Sequence, residues 1–443
     1  MTLRELSRPV LRTPLLGGLP VAIIGAGPVG LAAAAHLFER GIDFRIYEAG
    51  ASAANSVAAW KHVRLFSPWR FLIDPAARRL LATTDWVEPD ADRLPAGAEL
   101  IERYLAPLAS LETVASRTHT RSTVVSVSRQ GMDRTRSAGR STTPFVLRIR
   151  TGAELKEVTA SAVIDASGTY ASPNGLSSNG LEPLGADRIA GQLVHALPDV
   201  LGTDRARFAG RHTTVVGAGH SAANTLIALA KLARGEPATR VTWVVRRSGA
   251  ARVSASPDDD LQGRASIGAR VAALVADGEV ALVDRFEIAR LRPAGSSPGG
   301  EVVIVGIRRG EPFEIATDNI VGATGFRPDL SMLREIRLDL DDIVEAPRRL
   351  APMIDPNLHS CGTAPPHGFV ELRHPEPNFF IVGMKSYGRA PTFLLGTGYE
   401  QVRSIVAWLS GDVAAATAVQ LVLPATGVCS TDDAGGSGGG CCA

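Results

Sequence analysis

The chain has 443 residues, with 47 Lys and Arg against 45 Asp and Glu, and so a formal net charge of only +2. That balance, with no basic stripe along the chain, excludes the electrostatic footprint of a nucleic-acid binder. Hydrophobic residues at 45% against 21% charged exclude disorder, and the length predicts two or three domains with sizeable cores.

Four cysteines are too few for a disulfide scaffold, and they are unevenly placed, with Cys361 alone and Cys429, Cys441 and Cys442 crowded at the end. Adjacent thiols suit a reducing compartment, so a cytoplasmic location is expected. Residues 13–38 carry no Lys, Arg, Asp or Glu and imitate a signal peptide or membrane span. Five glycines interrupt them at motif spacing, so they read as buried strand, turn and helix, and no membrane is expected.

In chain order, Val21-Ala22-Ile23-Ile24 is an apolar run of the kind that forms a central parallel strand. Gly25-Ala26-Gly27-Pro28-Val29-Gly30 follows, and then a strong helix former over 31–37. Strand, G-x-G-x-x-G and helix form a dinucleotide-binding signature. Gly25 permits the tight turn, Gly27 lets a pyrophosphate approach the backbone, and Gly30 lets helix and strand pack closely. The helix start then offers N–H groups and a positive dipole to the phosphates. The next strand, Phe44-Arg45-Ile46-Tyr47, ends at Glu48, where a carboxylate accepts the ribose hydroxyls of an adenosine.

Further along, 123–128 and 145–150 alternate as an antiparallel hairpin, joined by a polar 130–143 stretch expected to be exposed, mobile and without chemistry. The dinucleotide pattern then recurs. A strand over 213–216 leads into Gly217-Ala218-Gly219-His220-Ser221-Ala222 and a helical run, with Ala222 as an allowed third small residue. The strand over 241–245 ends in Arg246-Arg247 where the first motif has its acid. Guanidinium groups there suit a 2′-phosphate, the alternative being solvated surface charge. A hydrolase nucleophile turn around Ser221 is rejected, because the G-x-S-x-G spacing is missing. Two such folds with different adenosine ends imply two different dinucleotides, FAD in the first and NADPH in the second.

Three further segments resemble the two-dinucleotide-binding-domain flavoproteins. They are Val163-Ile164-Asp165-Ala166-Ser167-Gly168-Thr169-Tyr170 with Pro173-Asn174, Ile320-Val321-Gly322-Ala323-Thr324-Gly325-Phe326-Arg327-Pro328-Asp329, and Asn378-Phe379-Phe380-Ile381-Val382-Gly383. The resemblance implies an α/β fold with two Rossmann-like domains. The FAD domain occupies 18–188 and 320–415, the NADPH domain is inserted over 189–319, and a flexible cysteine-bearing tail follows over 416–443. Ser167, Gly168, Thr324, Gly325 and Gly383 are then cofactor-binding positions. Trp60 with Arg64-Leu65, and Leu94-Pro95-Ala96-Gly97, resemble flavin-dependent monooxygenases more than thioredoxin reductases.

The monooxygenase fingerprint F-x-G-x-x-x-H is matched in part. Gly191 and His195 are present, Ile189 replaces the Phe, and Asp199 stands where an aromatic is expected. His195 is placed between the cofactors, either as a positioned hydrogen-bonding group or as a proton donor. Met384 replaces the Asp that many relatives carry, so the flavin ribityl falls to other groups, such as the helix start at Thr397. The implied partners are a small-molecule substrate and dioxygen, and a homodimer is the implied assembly.

Beyond Gly427 the chain carries Cys429, a Gly/Ser run over 435–440, and Cys441-Cys442. Such a run behaves as a coil, with an r.m.s. reach of roughly 20 Å between the first and second thiol. Three thiolates are soft ligands for trivalent arsenic, the alternative being a tail with incidental cysteines. The segments Ser386-Tyr387-Gly388-Arg389-Ala390-Pro391-Thr392-Phe393 and Gly398-Tyr399-Glu400-Gln401-Val402-Arg403, followed by that tail, resemble flavoprotein monooxygenases of bacterial arsenic-resistance operons. This implies oxidation of a trivalent arsenical captured by Cys429, Cys441 and Cys442, acting as catalytic thiols and soft-metal ligands. His359, Cys361, His367 and His374 match no standard zinc spacing and read as a polar loop near the flavin.

Overall fold

A computed structural model of the chain describes residues 13–248, 262–295, 300–358, 364–390 and 393–421, with backbone alone for 262–265. The chain forms two compact units. One runs to Ser172, resumes at Phe326, and includes 365–421; the other runs from Pro173 to Gly325 and takes in the short 356–358 segment.

The first unit is built on a parallel sheet of five strands. Their order is Phe379–Ile381, Ala162–Asp165, Val21–Ile24, Phe44–Tyr47 and Thr118–His119. The Val21–Ile24 and Ala162–Asp165 strands are buried along their whole length, and their sequences are accordingly apolar apart from Asp165, which ends the second. Strand order reverses at Val21–Ile24, which pairs with Phe44–Tyr47 on one side and Ala162–Asp165 on the other. At such a reversal the strand ends leave a crevice for ligands.

An antiparallel sheet of Thr123–Arg129, Phe145–Thr151 and Glu154–Ala160 belongs to the same unit. Its inward residues Val127, Phe145, Leu147 and Ile149 join Ala22, Ile24 and Phe379 in one core. The first two strands are the expected hairpin. The third escapes sequence reading because four of its seven residues, Glu154, Lys156, Glu157 and Thr159, are polar, on a largely exposed strand.

The 130–143 connection differs from expectation. Residues 133–139 are exposed, but Arg140 is buried. Glu376 takes Arg140 on one carboxylate oxygen at 2.8 Å and Arg129 on the other at 2.8 Å. Arg129 also lies over the Phe145 ring, 3.5 Å from its centroid. A buried carboxylate requires such partners, and supplying them ties the connection to the core instead of leaving it mobile.

The second unit repeats the first design. Its parallel sheet has the order Ala281–Val283, Arg240–Val244, His212–Val216, Asn319–Gly322 and Leu193–His195. The helix His220–Gly235 buries Ala222, Ala223, Leu226, Leu229 and Ala230 against Val215 and Trp243. An antiparallel sheet of Phe286–Pro293, Val302–Arg308 and Glu311–Thr317 completes it. Both units are Rossmann-like α/β folds, as the two glycine turns require. Among the described residues no helix is long and apolar enough to cross a membrane.

Candidate cofactor site

The first glycine turn leaves no room for side chains except at its centre. Gly25 has φ +96°, and a Cβ there would stand 2.8 Å from the Ala166 carbonyl oxygen. A Cβ at Gly30 would stand 2.0 Å from the Gly25 oxygen. At Gly27 a Cβ meets nothing within 4 Å, and Gly27 starts the helix Pro28–Glu39 with no side chain capping it. Pro28 lacks an N–H in the first turn, where an N–H would find no acceptor within the helix. An open backbone cradle at an uncapped helix start fits the pyrophosphate of a dinucleotide.

Glu48 stands at the edge of this cradle. Its carboxylate accepts the Ala26 N–H at 2.8 Å and the Gly50 N–H at 2.6 Å, one on each oxygen. These two bonds hold the group beside the turn and leave it lone pairs for ribose hydroxyls.

Two more segments close on the same turn through Val29. A Cβ at Gly383 would lie 3.3 Å from Val29 Cγ2, and one at Gly398 would lie 2.7 Å from it. Gly398 is in the first turn of the helix Leu395–Ser410, which also carries the buried Thr397. Thr397 hydrogen-bonds the Tyr387 hydroxyl, and burial pushes that phenol well above its ordinary pKa.

Behind Gly383 lies a closed polar network. Gly383 N–H donates to Gln401 Oε1 at 2.8 Å, and Gln401 Nε2 donates to His367 Nε2 at 2.9 Å and Ser386 Oγ at 3.0 Å. His367 therefore accepts at Nε2 and donates from Nδ1 to the Pro365 oxygen at 3.0 Å. Burial, which lowers its pKa, keeps this ring neutral as that geometry needs. His374 faces a different partner, the Asp339 N–H at 3.2 Å, and burial pulls its pKa down to about 4. Among the described residues no group of three His, Cys, Asp or Glu is placed to hold a metal ion.

Sequence reasoning missed Lys385. Its buried ammonium donates to Asp165 Oδ2 at 2.7 Å and to Ser167 Oγ at 3.0 Å, while the Ser167 hydroxyl donates to Asp165 Oδ1 at 2.6 Å. The pair ties the turn bearing Ser167 and Gly168 to the turn bearing Gly383. The available signal was a lysine in a chain with only four of them, two residues beyond a motif glycine.

Trp60 and Arg64 are brought against 94–97. Gly97 N–H bonds the Val63 oxygen at 2.9 Å, Arg64 Nη1 bonds the Leu94 oxygen at 3.0 Å, and a Cβ at Gly97 would sit 3.0 Å from the Trp60 ring.

In the second unit the same construction recurs. Gly217 has φ +132°, with a Cβ clash at 2.1 Å from the Ala323 oxygen, whereas Gly219 is open and starts an uncapped helix with His220 and Ser221. Ala222 is fully buried in the position of the third glycine. Trp243 Nε1–H donates to the Gly217 oxygen at 2.6 Å, a brace on the turn that no motif records.

His195 ends its strand at this edge, where a Cβ on Gly322 would lie 3.3 Å from its Nδ1. Asp199, at the expected aromatic position, instead accepts the Thr203 N–H at 3.1 Å and shapes a turn. Thr324 Oγ1 donates to the Asn174 oxygen at 2.8 Å, and Asn174 N–H to the Gly325 oxygen at 2.9 Å. The outgoing and returning segments of this unit thus run paired. Cys361, Cys429, Cys441, Cys442 and His359 lie outside the described residues.

Arg246 and Arg247 are exposed just past the Arg240–Val244 strand. Replacing both with Ser is expected to raise the KM for NADPH roughly 10- to 100-fold, the worth of one or two charge-assisted hydrogen bonds. The KM for NADH should not change, which steady-state kinetics with each nucleotide checks.

A family model described as pyridine nucleotide-disulphide oxidoreductase matches residues 22–360. No curated protein matches the chain. Among solved structures, a bacillithiol disulfide reductase from Bacillus cereus is 19% identical with a TM-score of 0.64, over 89% of this chain and 99% of that one. The FAD-bound cadaverine monooxygenase of desferrioxamine biosynthesis from Erwinia amylovora is 14% identical with a TM-score of 0.64, over 92% and 97%. A variant of the flavin monooxygenase from Stenotrophomonas maltophilia is 25% identical with a TM-score of 0.56, over 88% and 98%.

Proposed function

Because the chain belongs to the pyridine nucleotide-disulphide oxidoreductase family and is an FAD- and NADPH-dependent oxidoreductase, we propose that it is a monooxygenase acting on a small soft nucleophile. We further propose that this nucleophile is a trivalent arsenical captured by Cys429, Cys441 and Cys442.

The observation that carries the oxygenase reading is the position of the thiols. All four cysteines fall at or beyond residue 361, so none lies in the glycine turns or in the segments that pair with them. No dithiol stands there to take electrons, which favours dioxygen as the acceptor. The likeness to the Stenotrophomonas monooxygenase supports the same reading.

The position of Leu421, eight residues before Cys429, supports the capture role. A Cβ at Gly396, in the first turn of Leu395–Ser410, would lie 3.6 Å from Leu421 Cδ1. Arg403 Nη1 holds the Ala415 oxygen at 2.9 Å, and Gln420 N–H reaches Glu400 Oε1 at 3.2 Å. Leu421 therefore lies against the helix end that closes on the first glycine turn. Cys429 follows Leu421 within a covalent span of at most about 28 Å.

Bound FAD, reduced by NADPH, supplies the oxygen chemistry. Overall, NADPH, a proton and dioxygen are consumed, one oxygen atom joins arsenic as it passes from the trivalent to the pentavalent state, and the other leaves as water. The protein positions the partners. Gly27 and Glu48 seat one dinucleotide, Gly219 with Arg246 and Arg247 seats the other, His195 ends its strand at the same edge of the second sheet, and the thiolates present the soft ion.

The test is oxygen uptake by the FAD-loaded enzyme with NADPH, with and without a trivalent arsenical, with hydrogen peroxide scored in parallel. Stimulated uptake with little peroxide is expected, and uptake indifferent to the arsenical would sink the substrate assignment. The family's own description favours a second reading, an NADPH-dependent reductase of a disulfide or metal ion working through Cys441 and Cys442. That reading requires turnover without oxygen and its loss in a Cys441→Ser/Cys442→Ser variant.

A further inference from the structure

The parallel sheet of the second unit has two ends. The glycine turn of Gly217 and Gly219 follows the carboxyl end of the His212–Val216 strand. At the amino end, Arg188, Gln192, Arg207, Arg211, Asp318 and Asn319 line a cavity of about 500 Å³. Arg211 immediately precedes that strand, and Asp318 immediately precedes the strand Asn319–Gly322. A strand of this length spans about 16 Å, so the cavity and the dinucleotide turn lie at opposite ends of the sheet.

The size falls in the range of small-molecule sites, roughly 300–1,000 Å³. The charge is unbalanced, because three guanidinium groups face one carboxylate. That carboxylate is already engaged, Asp318 Oδ2 accepting the His212 N–H at 2.7 Å. Arg207 is half-buried, yet the hydrogen bonds of its guanidinium go to neutral oxygens, from Nε to Asn319 Oδ1 at 3.1 Å and from Nη2 to the Gly191 oxygen at 2.7 Å. Asn319 Nδ2 returns a bond to the Arg207 carbonyl at 3.0 Å, which fixes the residue from both sides. Burial lowers the Arg207 pKa, and the charge of Asp204 opposes this without cancelling it, as befits a cation desolvated without an anion in contact. Arg188 and Arg211 are exposed at the rim, and among the described residues neither makes an ion pair.

We propose that this cavity binds a small polyanion bearing phosphate or carboxylate groups, at a site separate from the dinucleotide turn of its own unit. The shared chemistry is the planar oxyanion edge, which arginine forks engage two bonds at a time. A pre-oriented Arg207 at the floor and two unpaired arginines at the rim supply that recognition. The proposal does not depend on the identity of the oxidised substrate.

The test is calorimetric titration of the full-length FAD-loaded enzyme with NADP⁺ at saturation, so that the dinucleotide turn is filled. Inorganic pyrophosphate is one titrant, citrate another, and sodium chloride at matched ionic strength the control. Saturable binding of pyrophosphate or citrate is expected, and the tighter of the two assigns phosphate or carboxylate as the recognised group. An Arg188→Glu/Arg211→Glu variant should weaken it about tenfold or more, with flavin absorbance and melting temperature unchanged. Arg211→Gln alone, a milder change, should weaken it in the same direction. Heats reproduced by sodium chloride, binding indifferent to both variants, or binding seen only when NADP⁺ is left out would each overturn the proposal.

Discussion

Gly27→Val is expected to yield a folded protein that no longer retains FAD yet still binds NADP⁺. A Cβ at Gly27 meets nothing within 4 Å, and φ −76° with ψ −176° is extended backbone open to any residue. The substitution therefore disturbs neither packing nor the turn, beyond about 1 kcal/mol for a poorer helix start. What it does fill is the space through which a pyrophosphate must approach the backbone. A loss of FAD affinity of about 100-fold or more, near 2.7 kcal/mol, is expected. Gly219→Val should give the mirror image, with NADP⁺ lost and FAD retained, because Gly219 is equally open at φ −92°. Fluorescence titration of the apoprotein with FAD, and of each variant with NADP⁺, measures both. FAD affinity of Gly27→Val within about threefold of the parent would refute the placement of the dinucleotide. Gly30→Val makes the contrast, since its Cβ would stand 2.0 Å from the Gly25 oxygen and the turn itself must break.

The second large effect is one of stability. Glu376 is 1% exposed, Arg129 2% and Arg140 3%, and the carboxylate is their only counter-charge in contact among the described residues. Glu376→Ala leaves two guanidinium groups buried without an anion and is expected to cost about 3–5 kcal/mol, read from urea denaturation followed by far-UV circular dichroism. Replacing all three with apolar residues of similar volume should recover much of that loss, because no charge is then left unpaired.

The same site makes a pH prediction. Burial by itself would raise the Glu376 pKa, but hydrogen bonds from Arg140 and Arg129 outweigh it, and the value lies below the ordinary 4.5. A carboxylate depressed in the folded state stabilises fully above its unfolded pKa. That contribution drains away as the pH falls below about 4.5 toward the folded value. Glu376→Gln should therefore flatten this acid limb of the stability curve as well as lower the plateau.

These two predictions separate what is local in this protein from what is not. The glycine turns were legible because each requirement they meet is local. Gly25 and Gly217 need backbone angles that other residues resist, Gly30 needs the absence of a Cβ against a carbonyl five residues away, and the strand and helix around each turn have their own periodicities. Glu48 and the Arg246-Arg247 pair were legible for the same reason, since each lies one strand beyond its turn. The third strand Glu154–Ala160 was not, because an exposed edge carries no apolar alternation to read.

What the amino-acid sequence by itself determined is thus the pair of glycine turns, their order, and the acid or base one strand beyond each. The tertiary structure alone decided which polar groups stand behind them. Arg129 meets Glu376 across 247 residues, Lys385 meets Asp165 across 220, and His367 meets Gln401 across 34. No spacing announces such partners. They are selected after folding has removed water from around each group, when a buried charge or amide left without a counterpart would cost more than the fold has to spare.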